Sequence, residues 1–211
     1  MKYLATLLLV CAGVLSAQTT PAKPADTNPK PAEINPLSQP VWEIGPFFQG
    51  GTGLGTASEF KFIVAGARVG RVLTGTIGTG RFRGTFEWAA DLMPLYEVRQ
   101  DDFYISGPQR WVYGGSFSPV ILKWNWVGGK TITPYFNAEG GVLFTHKEVP
   151  AGDTSAVNFT PGGAFGIYIR RGPKHAFDLA VHVIHISNAS LAHNPGINAT
   201  MQFRAGYTWF K

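Results

Sequence analysis

The chain has almost no cysteine and little charge. Its one cysteine, Cys11, stands inside an N-terminal apolar run, so residues 12–211 offer neither a disulfide nor a thiolate metal site. Asp, Glu, Lys and Arg make up 15% of the 211 residues, well below the roughly 25% of a soluble globular domain. Long helical periodicity is missing too. Beyond residue 40, apolar residues recur at every second position rather than every third or fourth. These absences exclude a disulfide-stapled scaffold, a helical bundle and a nucleotide-binding βαβ enzyme. Gly-x-Gly pieces such as Gly53-Leu54-Gly55 therefore read as turns, not phosphate loops.

What is present begins with Lys2, an apolar run from Leu4 to Leu15, and Ser16-Ala17 before Gln18. This is the layout of a signal peptide over residues 1–17, cleaved after Ala17. The run is shorter than the about 20 apolar residues a spanning helix needs. Its removal takes away Lys2 and no acid, lowering the formal charge from +5 to +4. That modest basic balance suits a polyanionic surface such as phosphorylated lipid, and nothing points to nucleic acid. Residues 18–40 hold Pro21, Pro24, Pro29, Pro31, Pro36 and Pro40 among Ala, Thr, Asn and Lys. Such a stretch buries too little apolar surface to offset its ordering entropy, which predicts a disordered periplasmic tether.

From Val41 the pattern is uniform. In Arg81–Leu92, Phe82, Phe86, Trp88 and Leu92 alternate with Arg81, Arg83, Thr85, Glu87 and Asp91. In Met201–Trp209, Met201, Phe203, Ala205, Tyr207 and Trp209 alternate with Gln202, Arg204 and Thr208. Strands are predicted near 41–50, 59–73, 81–97, 109–126, 131–145, 157–171, 175–188 and 198–210. An even number of strands, several longer than the roughly 9–11 residues needed to span, predicts an all-β, eight-stranded antiparallel transmembrane β-barrel of the outer membrane over 41–211. Trp42, Trp88, Tyr96, Trp111, Trp124, Trp126, Tyr207 and Trp209, near strand ends, would form the interfacial aromatic girdles. A soluble sandwich would turn the Phe and Trp stripes inward. The charged stripes opposite them, with Arg83, Glu87, Asp91, Glu139, Arg170 and Arg204, instead suit a lumen where they can pair.

One stretch carries chemistry. In His185-Ile186-Ser187-Asn188-Ala189-Ser190, His185 and Ser187 stand two apart at the end of a strand whose same face holds Phe177, Leu179, Val181 and Val183. Side chains at i and i+2 share a face, about 7 Å apart along it, so an imidazole can lean over a hydroxyl and take its proton. If the apolar face meets lipid, so do His185 and Ser187, and an enzyme so placed has a lipid for its substrate. His182 lies on the opposite face and reads as a lumen residue with polar partners.

His185-Ile186-Ser187-Asn188-Ala189-Ser190, followed by Asn194-Pro195-Gly196-Ile197-Asn198, resembles the signature of the lipid A 3-O-deacylase (PagL-like) family. That signature runs His-x-Ser-Asn-Ala-Gly and then Asn-x-Gly-x-Glu. The resemblance implies an outer-membrane serine esterase that removes an acyl chain from the lipid A of lipopolysaccharide, without cofactor or metal. Its substrate would be lipid A among outer-membrane lipids, and a homodimer is left open. By position, Ser187 would be the nucleophile, His185 the base, and Asn188, Asn194 and Gly196 would serve the oxyanion or the substrate. Ser190 stands where the family has Gly, and Asn198 where it has the Glu that orients the histidine. Asn198 shares parity with Thr200 and Gln202, the expected inner face, so it reaches His185 only if the strand starts late or bulges. The other reading is a non-catalytic structural or adhesive barrel on the same scaffold.

Overall fold

The computed structural model describes residues 34–100 and 110–211. The signal peptide expected over 1–17, and all but the last residues of the tether expected over 18–40, lie outside the described residues.

Nine strands form the wall: β1 Trp42–Gly53, β2 Lys61–Val72, β3 Thr85–Gln100, β4 Arg110–Asn125, β5 Ile132–Thr145, β6 Val157–Phe159, β7 Gly162–Arg170, β8 His175–Ile186 and β9 Ile197–Phe210. All pairings are antiparallel; β1 pairs with β9, and β4 with β5, so the sheet closes on itself. β6 and β7 both pair with β5 and make one wall strand, interrupted at Thr160-Pro161. The interruption has a plain cause, since proline brings no N–H to the ladder. The result is a closed eight-stranded barrel, and each strand lies within a few residues of its expected place.

Alternation puts Phe48, Phe117, Phe136, Phe165 and Phe203 on the exposed outer face. Glu43, Glu87, Asp91, Lys123, Asp178, His182 and Arg204 are buried in the lumen. There Lys123 Nζ lies 2.8 Å from both Glu43 and Glu87, and donates to Tyr168 Oη at 2.5 Å. Asp91 holds Arg68 at 2.7 Å and Arg204 at 2.8 Å, and His182 pairs with Glu139 at 3.0 Å. Such pairing is what makes buried charge tolerable. Arg83 departs from expectation. It is exposed beside the 3-10 turn Gly80–Phe82, because the chain is not yet in β3 at that point and strand parity does not apply.

The ionic belt sits between two apolar clusters inside the barrel. Phe62, Val64, Val98, Val112, Leu143, Ile186 and Ile197 pack at one end. Leu37, Val72, Val127, Tyr135, Tyr168 and Phe210 pack at the other. Leu37 comes from the segment expected to be tether. Pro36–Ser38 forms a 3-10 turn that carries Leu37 to full burial, and Asn35 Nδ2 donates to Thr133 Oγ1 at 3.0 Å. Thr85 Oγ1 donates to the Leu37 carbonyl at 2.9 Å. This plug closes the end that also holds the C-terminus and the connections 73–84, 126–131 and 171–174. The connections 54–60, 146–156 and 187–196 lie at the opposite end of the barrel.

Candidate active site

β8 buries Ala176, Asp178, Ala180, His182, Ile184 and Ile186 and turns Phe177, Leu179, Val181, Val183 and His185 outward. His185 and Ser187 are both partly exposed on that outer face, at the end of the barrel opposite the Leu37 plug. The wall is irregular on both sides of them. On one side lies the β6–β7 break, where the Pro161 carbonyl accepts from His185 N at 2.9 Å and Ser187 forms an isolated bridge with Phe159. On the other side β9 bulges: Ile184 faces Thr200 but Ile186 faces Ile197, so two residues of β8 oppose three of β9.

The bulge decides where Asn198 goes. Below it even-numbered residues of β9 point inward, as Thr200 and Gln202 do; above it Ile197 is buried and Asn198 is exposed. A bulge adds one residue to one strand and flips the facing of the residues beyond it. Asn198 therefore stands on the same side as His185, against simple parity. The contact is made by its main chain: His185 Nδ1 lies 2.8 Å from the Asn198 carbonyl oxygen. A carbonyl only accepts, so Nδ1 carries the hydrogen, and in the neutral ring Nε2 keeps its lone pair.

Ser187 Oγ accepts from Ala189 N at 3.2 Å, and among the described residues no hydrogen bond joins it to His185. Asn188, 3% exposed, donates from Nδ2 to the Asn194 carbonyl at 2.7 Å and accepts Ser190 N on Oδ1 at 3.0 Å. Asn194 Nδ2 donates to Gly152 O at 2.8 Å, which ties the 187–196 loop to the neighbouring 146–156 loop. Each amide thus uses one N–H on loop structure and keeps a second. Gly196 lies so close to the main chain of β8 that an added Cβ would stand 2.0 Å from the Ile186 carbonyl oxygen. Ala189 and Ser190 take positive φ, 51° and 64°. Ser190 thus occupies the left-handed region that glycine enters without cost.

The sequence profile described as Lipid A 3-O-deacylase (PagL) matches residues 76–208, from just before β3 almost to the end of β9. The chain belongs to this family. Among solved structures it is similar to "the outer membrane enzyme PagL", at 15% identity over 79% of this chain and 97% of that one, with a TM-score of 0.49. It is also similar to Neisserial surface protein A (NspA), at 10% identity over 81% of this chain and 96% of that one, with a TM-score of 0.47. No curated protein matches the chain. The PagL match spans His185, Ser187, Asn188, Asn194, Gly196 and Asn198, while β1, β2 and the Leu37 plug precede it.

Sequence reasoning names neither the Ala189 N–H as a partner of Ser187 nor the Asn198 carbonyl as a partner of His185. Both are main-chain groups with no side-chain signature. An apolar groove of about 700 Å³ also runs along the outer wall below the site, lined by Phe48, Phe165, Leu179, Val181, Phe203 and Ala205. Leu179 and Val181 share the β8 face that ends in His185.

Proposed function

We propose that the chain, after cleavage of a signal peptide, is an outer-membrane serine esterase that removes an ester-linked acyl chain from lipid A by 3-O-deacylation. One observation carries this reading: the outward face of β8 runs from apolar residues into His185 and Ser187 at the end opposite the Leu37 plug, which this reading puts outside the cell. A serine and a histidine there gain nothing from bilayer contact, since polar groups in hydrocarbon are costly without a partner. A substrate whose acyl chains lie along the wall and whose sugar lies above it brings its ester to that level.

In this mechanism Ser187 Oγ attacks the acyl carbonyl carbon and its proton passes to His185 Nε2, the nitrogen left free by the Nδ1 contact to Asn198 O. The Ala189 N–H, which meets Ser187 Oγ before attack, would turn to the oxyanion as it forms, and Gly196 lets the loop lie close to β8. Asn188 and Asn194 hold that loop and keep one amide hydrogen each for the substrate. Collapse of the intermediate breaks the ester bond, and the sugar oxygen leaves with the proton from His185. Water, deprotonated by His185, then releases the fatty acid from Ser187. The 700 Å³ groove supports the reading as a bed for the departing chain.

The missing His185–Ser187 hydrogen bond is the observation that favours the other reading, a non-catalytic barrel. Catalytic contacts are often loose without substrate and tighten in the complex. A fluorophosphonate that phosphonylates activated serines separates the two. Stoichiometric labelling at Ser187, lost in His185→Asn, supports the esterase; an unlabelled, folded barrel contradicts it.

A further inference from the structure

At the opposite, plug end of the barrel, the periplasmic end in this reading, the exposed charge among the described residues is one-sided. Arg81, Arg83, Lys130, Arg171, Lys174 and Lys211 are exposed there. The described acids of that end, Glu43, Glu87 and Asp178, are buried in the lumen and bonded to Lys123, Asn125 and Tyr135. At the external end the exposed charges are mixed, with Glu59, Glu148 and Asp153 among Lys61, Arg99 and Lys147. Within the basic rim one place has the form of a site. A cleft of about 590 Å³ is lined by Arg81, Arg83, Trp126, Gly129, Ile132 and Pro134. Among the described residues, neither arginine has an ion pair or a side-chain hydrogen bond. Phe82, between them, is 78% exposed, and Leu73 and Ile77 of the same connection are 51% and 47% exposed.

We propose that this cleft binds the anionic headgroup of a phospholipid in the periplasmic leaflet of the outer membrane. Two guanidinium groups offer paired donors matched to a phosphate. Trp126 packs against Phe165 on the outer wall, with ring centroids 6.4 Å apart, the position of an indole at a headgroup boundary. Ile132 is exposed on the same face. The phosphate would therefore lie on the arginines while its acyl chains run along the wall. Phe82 enters the leaflet beside it. The proposal rests on the barrel being in the outer membrane with its plug end toward the periplasm, as the esterase reading also has it, and does not need the esterase chemistry.

The test is native mass spectrometry of the full chain in detergent, with phosphatidylglycerol or phosphatidylethanolamine added, and then with inorganic phosphate as competitor. The wild type should retain phosphatidylglycerol over phosphatidylethanolamine. Arg81→Gln/Arg83→Gln should weaken phosphatidylglycerol retention about tenfold or more, as expected for two basic groups at an anionic surface. Lys174→Gln/Lys211→Gln, which changes the charge by the same amount away from the cleft, should retain most of it. Heat-modifiable gel mobility confirms that each variant is folded, and Trp126→Ala gives a second reading of the cleft without altering charge. Equal retention of the two lipids by the wild type overturns the proposal. So does equal loss in both double variants, which would mean diffuse charge and not a site, or displacement of the lipid by millimolar phosphate.

Discussion

His185 Nδ1 lies 2.8 Å from the main-chain carbonyl oxygen of Asn198, not from its side-chain amide. The β9 bulge brings that carbonyl to the outer face. A backbone acceptor, and not a side chain, thus meets Nδ1 of the ring. Asn198→Ala should therefore keep most deacylase activity, far from the roughly 10⁴-fold loss that comes with removal of an orienting group from a catalytic triad. Asn198→Glu should match or exceed the wild type, because a carboxylate stabilises an imidazolium better than a neutral amide does. Deleting Ala199, which removes the bulge, should abolish turnover in a barrel that still folds. Initial rates on purified lipid A check all three, and a collapse of activity in Asn198→Ala would show that the side chain is the orienting group.

Ser190 has φ 64° in the loop that holds Ser187. A side chain in the left-handed region costs about 1 kcal/mol or more, and glycine does not carry that cost. Ser190→Gly should raise stability by about 1 kcal/mol, offset in part by the greater freedom of glycine in the unfolded chain. The change in urea midpoint for the protein folded in vesicles measures it. A lower midpoint would mean that the Ser190 side chain stabilises the loop.

Lys123 is fully buried between Glu43 and Glu87. Lys123→Met leaves two carboxylates facing each other without a cation, so it should cost about 3–5 kcal/mol. Lys123→Met combined with Glu43→Gln and Glu87→Gln should recover a large part of that loss, because the uncompensated charge is gone. Failure of the triple variant to recover would assign the cost to packing of the lysine stem against Tyr135 and Tyr168.

The wall of this barrel is legible in the sequence, and its exceptions are not. Strand parity correctly predicts that Phe177 to His185 face outward and that His182 meets a polar partner, because period-two alternation is imposed by the pleat itself. It misplaces Asn198, since a bulge adds a residue without changing composition. The buried, apolar Ile197 is the one hint that facing changes there. Arg83 is misplaced for a related reason: the alternation of β3 continues in the sequence through a turn that precedes the strand. Leu37 is hidden by its company, as a proline-rich stretch reads as disordered even when one leucine within it fills the end of a lumen. The loop contacts of Asn188 and Asn194 depend on 146–156 lying beside 187–196, a long-range fact with no local signal.

Hydrolysis of an acyl ester of lipid A by Ser187 and His185 is the activity proposed for this barrel. Mass spectrometry of lipid A from cells expressing the wild type, Ser187→Ala or His185→Asn tests it most directly. The wild type should convert lipid A to a species lighter by one hydroxyacyl chain. Each variant should leave it unconverted, a fall in rate of about 10³-fold or more, while showing the same heat-modifiable mobility as the wild type. Unchanged lipid A with well-expressed, folded wild type, or conversion that persists in Ser187→Ala, would contradict the account.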